Sequence, residues 1–193
     1  MSKNETGKNI DPSRAIVMFL TFWENLNFFL QATVWALLDT HPNYGMCLTA
    51  NQKTPTLVTF ITTVTKERCK VIKNEGAINA RDEYLEALIP LTTAHLEITN
   101  GRKIQLGAFR NSLAHLFLPA AKDQNTIEIL KLKATTELVE DRLAFTREDI
   151  IKATEETHKI IENLQDLMEK HYPAYFARLA KVSPQLKTDQ PEE

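Results

Sequence analysis

The sequence predicts a mostly α fold: a helical bundle of four to five main helices, with a small β-hairpin ahead of a long C-terminal helix. Three observations predict it. Cap-and-proline pairs at Asp11-Pro12 and Thr54-Pro55 each open a run of apolar residues at helical spacing. Two short segments after Pro119, TIEILKLK and LVEDRLAF, alternate apolar and polar residues with a period of two. The length of 193 residues, with 43% hydrophobic and 25% charged, suits one well-buried core. The expected organisation is a loose tail over 1–10, a single domain over 11–181 and a second loose tail over 182–193. Within the domain, core helices occupy about 12–119 and an extension occupies 120–181.

The first helix follows Pro12, with Ile16, Phe19, Leu20, Trp23, Leu26, Leu30, Val34 and Leu37 recurring on one side, and should end by the turn His41-Pro42-Asn43-Tyr44-Gly45. Residues 15–38 have the length of a membrane span. Glu24, Asn25, Asn27 and Gln31 lie in its middle, where polar groups are costly in lipid, so a packed helix and no membrane contact are expected. Thr54-Pro55 caps a second helix reaching Lys73, with Leu57, Ile61, Val64, Val71 and Ile72 on one side. Its β-branched stretch VTFITTVT also suits a strand, but the cap and the basic continuation favour a helix. A third helix is expected over about 80–99, starting at Asn79 with Asp82 in its first turn, kinked or split at Pro90 and closed by Asn100-Gly101. A fourth runs from about Ile104 to Pro119. The two alternating segments then form the hairpin. Thr146 and Asp149 have N-cap spacing ahead of a long helix carrying Ile150, Ala153, Thr157, Ile160, Leu164, Leu167 and His171, bent at Pro173 before Phe176 and Leu179.

Charge and motif content narrow the function classes. A net charge of −2 and a pI of about 6.2 rule out a polycation that coats nucleic acid, so any RNA contact has to be local. Lys66, Lys70 and Lys73 share one helix face, which reads as a solvated face or as a shallow RNA-binding stripe. Cys47 and Cys69 are isolated thiols suited to a reducing cytoplasm, and the polar first twelve residues lack the apolar region of a secretory signal. No Gly-rich phosphate loop, nucleophile context or Cys/His zinc spacing is present, and His41, His95, His158 and His171 form no metal-ligand pair at three or four residues. Neither a metal nor a cofactor is expected.

The fourth helix holds the chemistry, in the stretch GAFRNSLAHLFLP over 107–119. With Ile104 at zero and 100° per residue, Leu106, Phe109, Leu113, Leu116 and Phe117 fall at about 120° to 220°, an inward apolar face. Gly107, Ala108, Asn111 and His115 fall within about 60° of zero, a face of small residues with two polar groups that suits close approach of another helix. Arg110 lies at the border, at about 240°, roughly 140° from His115. The two heads converge if the arginine curls back, or if a second copy of the helix crosses the first, with Gly107, Ala108 and Asn111 at a homodimer interface.

Arg110-Asn111-Ser112-Leu113-Ala114-His115 resembles the signature of the HEPN superfamily: arginine, a polar residue that is often asparagine, three further residues, then histidine. Chance would place an arginine and a histidine at this spacing with asparagine second roughly 0.01 times in such a chain, so the match carries weight. The resemblance implies a compact helical domain that dimerises with the two signatures facing each other. It implies metal-independent cleavage of RNA, with Arg110, His115 and Asn111 as catalytic residues, and a toxin or phage-defence setting with a cognate antitoxin protein as partner. Residue chemistry agrees. Histidine titrates near neutrality and can move a proton from a ribose 2′-hydroxyl or to a leaving 5′-oxygen, while the arginine fork can hold the phosphate. The alternative is a non-catalytic dimerisation or partner-binding module, in which Asn111 and His115 are satisfied at a helix interface and Arg110 pairs with an acid such as Glu24 or Glu97.

Overall fold

The structure is a computed structural model that describes residues 11–99, 101–114, 120–121, 126–134 and 138–182. It is mostly α. Eight helices lie among the described residues: α1 Pro12–Leu37, α2 Pro42–Thr49, α3 Thr54–Ile72, α4 Glu75–Ala87, α5 Ile89–Thr92, α6 Leu106–Ala114, α7 Arg147–His171 and α8 Pro173–Val182. Short strands β1 Leu96–Glu97 and β2 Lys103–Ile104 pair antiparallel. The strand β3 Ala120–Ala121 joins β4 Thr126–Ala134 and β5 Leu138–Thr146 in an antiparallel sheet of order β3-β4-β5. The expected hairpin is the β4–β5 pair, in register from Thr126 opposite Thr146 to Ala134 opposite Leu138. Contacts divide the chain into two compact units, one of residues 1–24 and 90–158, the other of residues 25–89 and 159–193.

In the first unit, α1 contributes Ala15, Ile16, Phe19 and Trp23, all buried. Phe109 of α6 stands edge-on to Phe19, with ring centroids 5.4 Å apart, and meets Phe145 of β5 at 4.6 Å. Offset and edge contacts of this kind add to the area such rings bury. The start of α7 is a reciprocal cap. The Asp149 N–H donates to Thr146 Oγ1 at 3.2 Å, and the Thr146 N–H donates to Asp149 Oδ2 at 2.9 Å. Asp149 Oδ1 accepts from both the N–H and the hydroxyl of Thr99 at 2.8 Å, so a carboxylate only 4% exposed is satisfied on both oxygens. Gly101, at φ 74°, closes the turn between β1 and β2, where its N–H reaches Ile98 O at 2.8 Å.

In the second unit, Leu26, Leu30, Val34, Trp35 and Leu37 of α1 are buried, as are Leu57 and Ile61 of α3 and Ile160, Leu164 and Met168 of α7. Trp35 packs so closely on α2 that a Cβ at Gly45 would sit 2.4 Å from its ring, and its Nε1 donates to Thr49 Oγ1 at 2.9 Å. Only glycine fits there.

Several features differ from expectation. The segment 41–45 starts α2 instead of a simple turn, because Pro42 takes the first helical position and the His41 ring accepts from the Asn43 N–H. Lys53, not Thr54, is the N-cap of α3; the Thr54 hydroxyl instead donates to Asn27 Oδ1 at 2.6 Å. The buried stripe of α3 is Leu57, Val58, Ile61, Thr65 and Cys69, which leaves Val71 and Ile72 exposed at 81% and 45%. Both polar members are tolerable inside: the Thr65 hydroxyl donates back to Ile61 O at 2.8 Å, and a thiol packs as a small apolar group. The third helix starts earlier, capped by Asn74 accepting from the Ala77 N–H at 2.8 Å, and ends at Ala87. Pro90 sits in the separate short α5, the split its ring enforces, and residues 96–97 are strand, where pairing with β2 overrides the helical pattern.

Candidate functional site

The helix α6 begins after Gln105, whose carbonyl accepts the Phe109 N–H at 2.9 Å. Leu106, Phe109 and Leu113 are buried as the wheel requires, and Ser112, fully buried, donates to Ala108 O at 2.8 Å. That inward face fixes the rotation of the helix. Ala108 and Asn111 are consequently exposed, and Arg110 lies at the border. Gly107 is half-buried, and a Cβ there would lie 3.9 Å from the Trp23 ring, so its nearest neighbour in this unit is α1.

Among the described residues Arg110 makes two polar contacts. Its Nη2 donates to Glu24 Oε1 at 3.3 Å and its Nη1 to Asn111 Oδ1 at 3.4 Å. Of the two acids expected as its partner, Glu24 holds the position; the Glu97 carbonyl instead accepts from Lys152 at 3.0 Å. Both Arg110 contacts are long, since charge-assisted N–H to oxygen bonds close to about 2.7–2.9 Å when well formed. Glu24 is 66% exposed and Arg110 28%, so water screens the pair. The Arg110 Nε is buried without a hydrogen-bond partner among the described residues. The guanidinium is thus a cation beside an amide on an exposed helix border, held by weak contacts and with donor capacity to spare.

The structure brings Arg110 and Asn111 together. His115 lies outside the described residues. Lys66, Lys70 and Lys73 are all exposed in the other compact unit; Lys70 pairs with Glu67 at 2.6 Å, and Lys73 ends α3 in the left-handed conformation at φ 50°.

Of the other histidines, His95 is exposed and three have structural surroundings. His41 caps α2, the His158 ring lies edge-on to Phe22 at 5.3 Å, and His171 Nε2 is 2.8 Å from Glu83 Oε2. No group of three or more His, Cys, Asp or Glu among the described residues could hold a metal ion. No helix among them is long and apolar enough to cross a membrane.

Sequence reasoning missed a polar cluster in the second unit. Glu83 of α4 receives Lys170 Nζ at 2.7 Å and faces His171 at 2.8 Å; the Lys170 ammonium first, then the His171 ring, holds its carboxyl below the usual 4.5. Arg68 Nη1 donates to Leu37 O at 2.7 Å, and its guanidinium lies 5.7 Å over the Tyr172 ring. The local signal was faint, because the end of α7 joins α3 and α4 from far along the chain, with Lys170 and Glu83 87 positions apart. No protein-family model, curated protein or solved structure matches the chain.

Proposed function

We propose that the chain is a HEPN-type, metal-independent endoribonuclease that works as a cytoplasmic homodimer and serves as a toxin or phage-defence effector restrained by a cognate antitoxin protein. The observation that carries this reading is the state of Arg110: a guanidinium beside Asn111, held at 3.3 and 3.4 Å, on the helix whose signature continues to His115. An incoming RNA phosphate displaces the long contact to Glu24 and takes the freed guanidinium donors. His115 accepts the proton of the ribose 2′-hydroxyl, and the 2′-oxygen bonds to phosphorus as the bond to the 5′-oxygen breaks. The proton then passes to that leaving oxygen, so the products are a 2′,3′-cyclic phosphate and a 5′-hydroxyl. DNA, lacking the 2′-hydroxyl, is not a substrate. Two copies meet across Gly107, Ala108 and Asn111, which brings two Arg110–His115 sets to one cleft.

Incubation of purified protein with single-stranded or structured RNA in excess EDTA tests this. Cleavage with cyclic-phosphate ends is expected, lost in His115→Ala and in Arg110→Ala; cleavage that survives His115→Ala or requires added Mg²⁺ overturns the mechanism. One observation favours a second reading, a non-catalytic dimerisation or partner-binding module: the Glu24 carboxylate already occupies the guanidinium. Expression separates the two. The ribonuclease arrests growth and Arg110→Ala relieves the arrest, whereas a module is tolerated equally in both forms.

A further inference from the structure

The second compact unit contains a cleft of about 330 Å³ whose lining is cationic. Arg68 comes from α3, Arg81 from α4, and Lys170 and His171 from the end of α7; Tyr172 and the first turn of α4, with Asn74, Gly76 and Ala77, complete the polar wall. No carboxylate lines it among the described residues. Two acids stand just behind: Asp82 takes Arg81 Nε at 2.7 Å, and Glu83 takes Lys170. They leave the cleft with the Arg68 charge uncompensated and with spare donors on both arginines, since Arg68 spends one Nη1 bond on Leu37 O and Arg81 spends its Nη1 on Cys69 Sγ at 3.5 Å. Asn74 accepts the N–H of Ala77, so the N–H groups of Glu75 and Gly76, which no helix carbonyl can reach, remain at the positive end of the α4 dipole. Rigid guanidinium forks, an ammonium and helix N–H groups on one concave wall are the donor set that recognises a phosphate.

We propose that this cleft binds a small phosphorylated molecule, with Arg68, Arg81, Lys170 and the first turn of α4 holding the phosphate and Tyr172 packing against the group that carries it. The volume is in the range of small-ligand sites and too small for a folded partner. The site lies wholly within one unit and is independent of Arg110 and of the ribonuclease reading.

Calorimetric titration of the full-length protein with inorganic pyrophosphate at low salt tests it. Saturable binding at one site per chain is expected, weakened about tenfold or more in Arg81→Gln and in Lys170→Gln, and unchanged in Lys181→Gln on α8. Two variants are used so that a folding defect in one, read by its melting curve, leaves the other decisive. Exposed Ile72 in the cleft lining, with exposed Val71 and Ile78 next in sequence to the lining residues Ile72 and Ala77, makes a lipid headgroup the other source of such a phosphate. Sedimentation with phosphatidylcholine vesicles containing phosphatidic acid separates the two sources: vesicle binding displaced by pyrophosphate assigns the phosphate to a lipid, and pyrophosphate binding without it assigns a soluble ligand. Absence of saturable pyrophosphate binding, or equal affinity in wild type and both cleft variants, overturns the proposal.

Discussion

Arg110 and Glu83 each stand at the centre of a polar cluster, one in each compact unit, and the two clusters are built oppositely. Glu83 is a carboxylate that takes two partners at 2.7 and 2.8 Å and is 32% exposed. Among the described residues Arg110 is a cation that takes two partners at 3.3 and 3.4 Å, one of them 66% exposed, with its Nε unpartnered. Short, convergent contacts mark a group whose bonding is complete within the fold. Long contacts, and a donor without a partner among the described residues, leave a group with bonding capacity to spare. That contrast is why Arg110 is read as functional and Glu83 as structural.

The largest effect tests the scaffold behind Arg110. Phe109→Ala empties a fully buried ring site between Phe19 and Phe145 and should cost about 3–5 kcal/mol in urea denaturation, with RNA cleavage falling as α6 loses its anchor. A cost under about 1 kcal/mol would mean that this aromatic cluster does not fix the helix. Next comes Asp149→Ala, which removes the reciprocal cap of α7 and strands two Thr99 donors; about 2 kcal/mol is expected.

Glu83→Gln probes the saturated cluster and should cost about 1 kcal/mol at neutral pH, after solvent screening of a partly exposed site. The sign with pH follows from the lowered carboxyl. The unfolded chain binds this proton more readily, so Glu83 stabilises fully above its ordinary value of 4.5 and loses that effect as pH falls below it. The stability gap between wild type and Glu83→Gln should therefore narrow on acidification between pH 6 and 3; a gap that widens contradicts the assignment.

The smallest change in stability, under about 1 kcal/mol, is expected for Glu24→Ala, because the pair it breaks is long and exposed. Its effect on cleavage is the sharper readout. If Glu24 merely occupies the guanidinium until RNA arrives, Glu24→Ala tightens RNA binding, seen as a lower KM. A large loss of stability with no change in KM would make Arg110 as structural as Glu83.

Much of the fold was legible locally. Period-two alternation marked the β4–β5 hairpin, the Thr146–Asp149 pair marked the start of α7, and the stripe Leu106, Phe109, Leu113 set the rotation of α6. Each is a short-range preference that survives in the folded chain because nothing distant opposes it. Misread elements were those where distant contacts decide. Leu96 and Glu97 pair with Lys103 and Ile104 although their context reads as helix, and Val71 and Ile72 stay exposed because Thr65 and Cys69 take the inward positions of α3.

For the candidate site, the sequence by itself determined the signature from Arg110 to His115, the border position of Arg110 and the place of Asn111 opposite the apolar stripe, since a helix with one such stripe turns that face inward. Tertiary structure alone decided that Glu24 rather than Glu97 meets the guanidinium, and that Arg68, Arg81, Lys170 and His171 surround one cleft. The physical reason is range. Helical periodicity acts over three or four residues and is written in the chain, whereas an ion pair spanning 86 positions exists only where folding brings the two ends together.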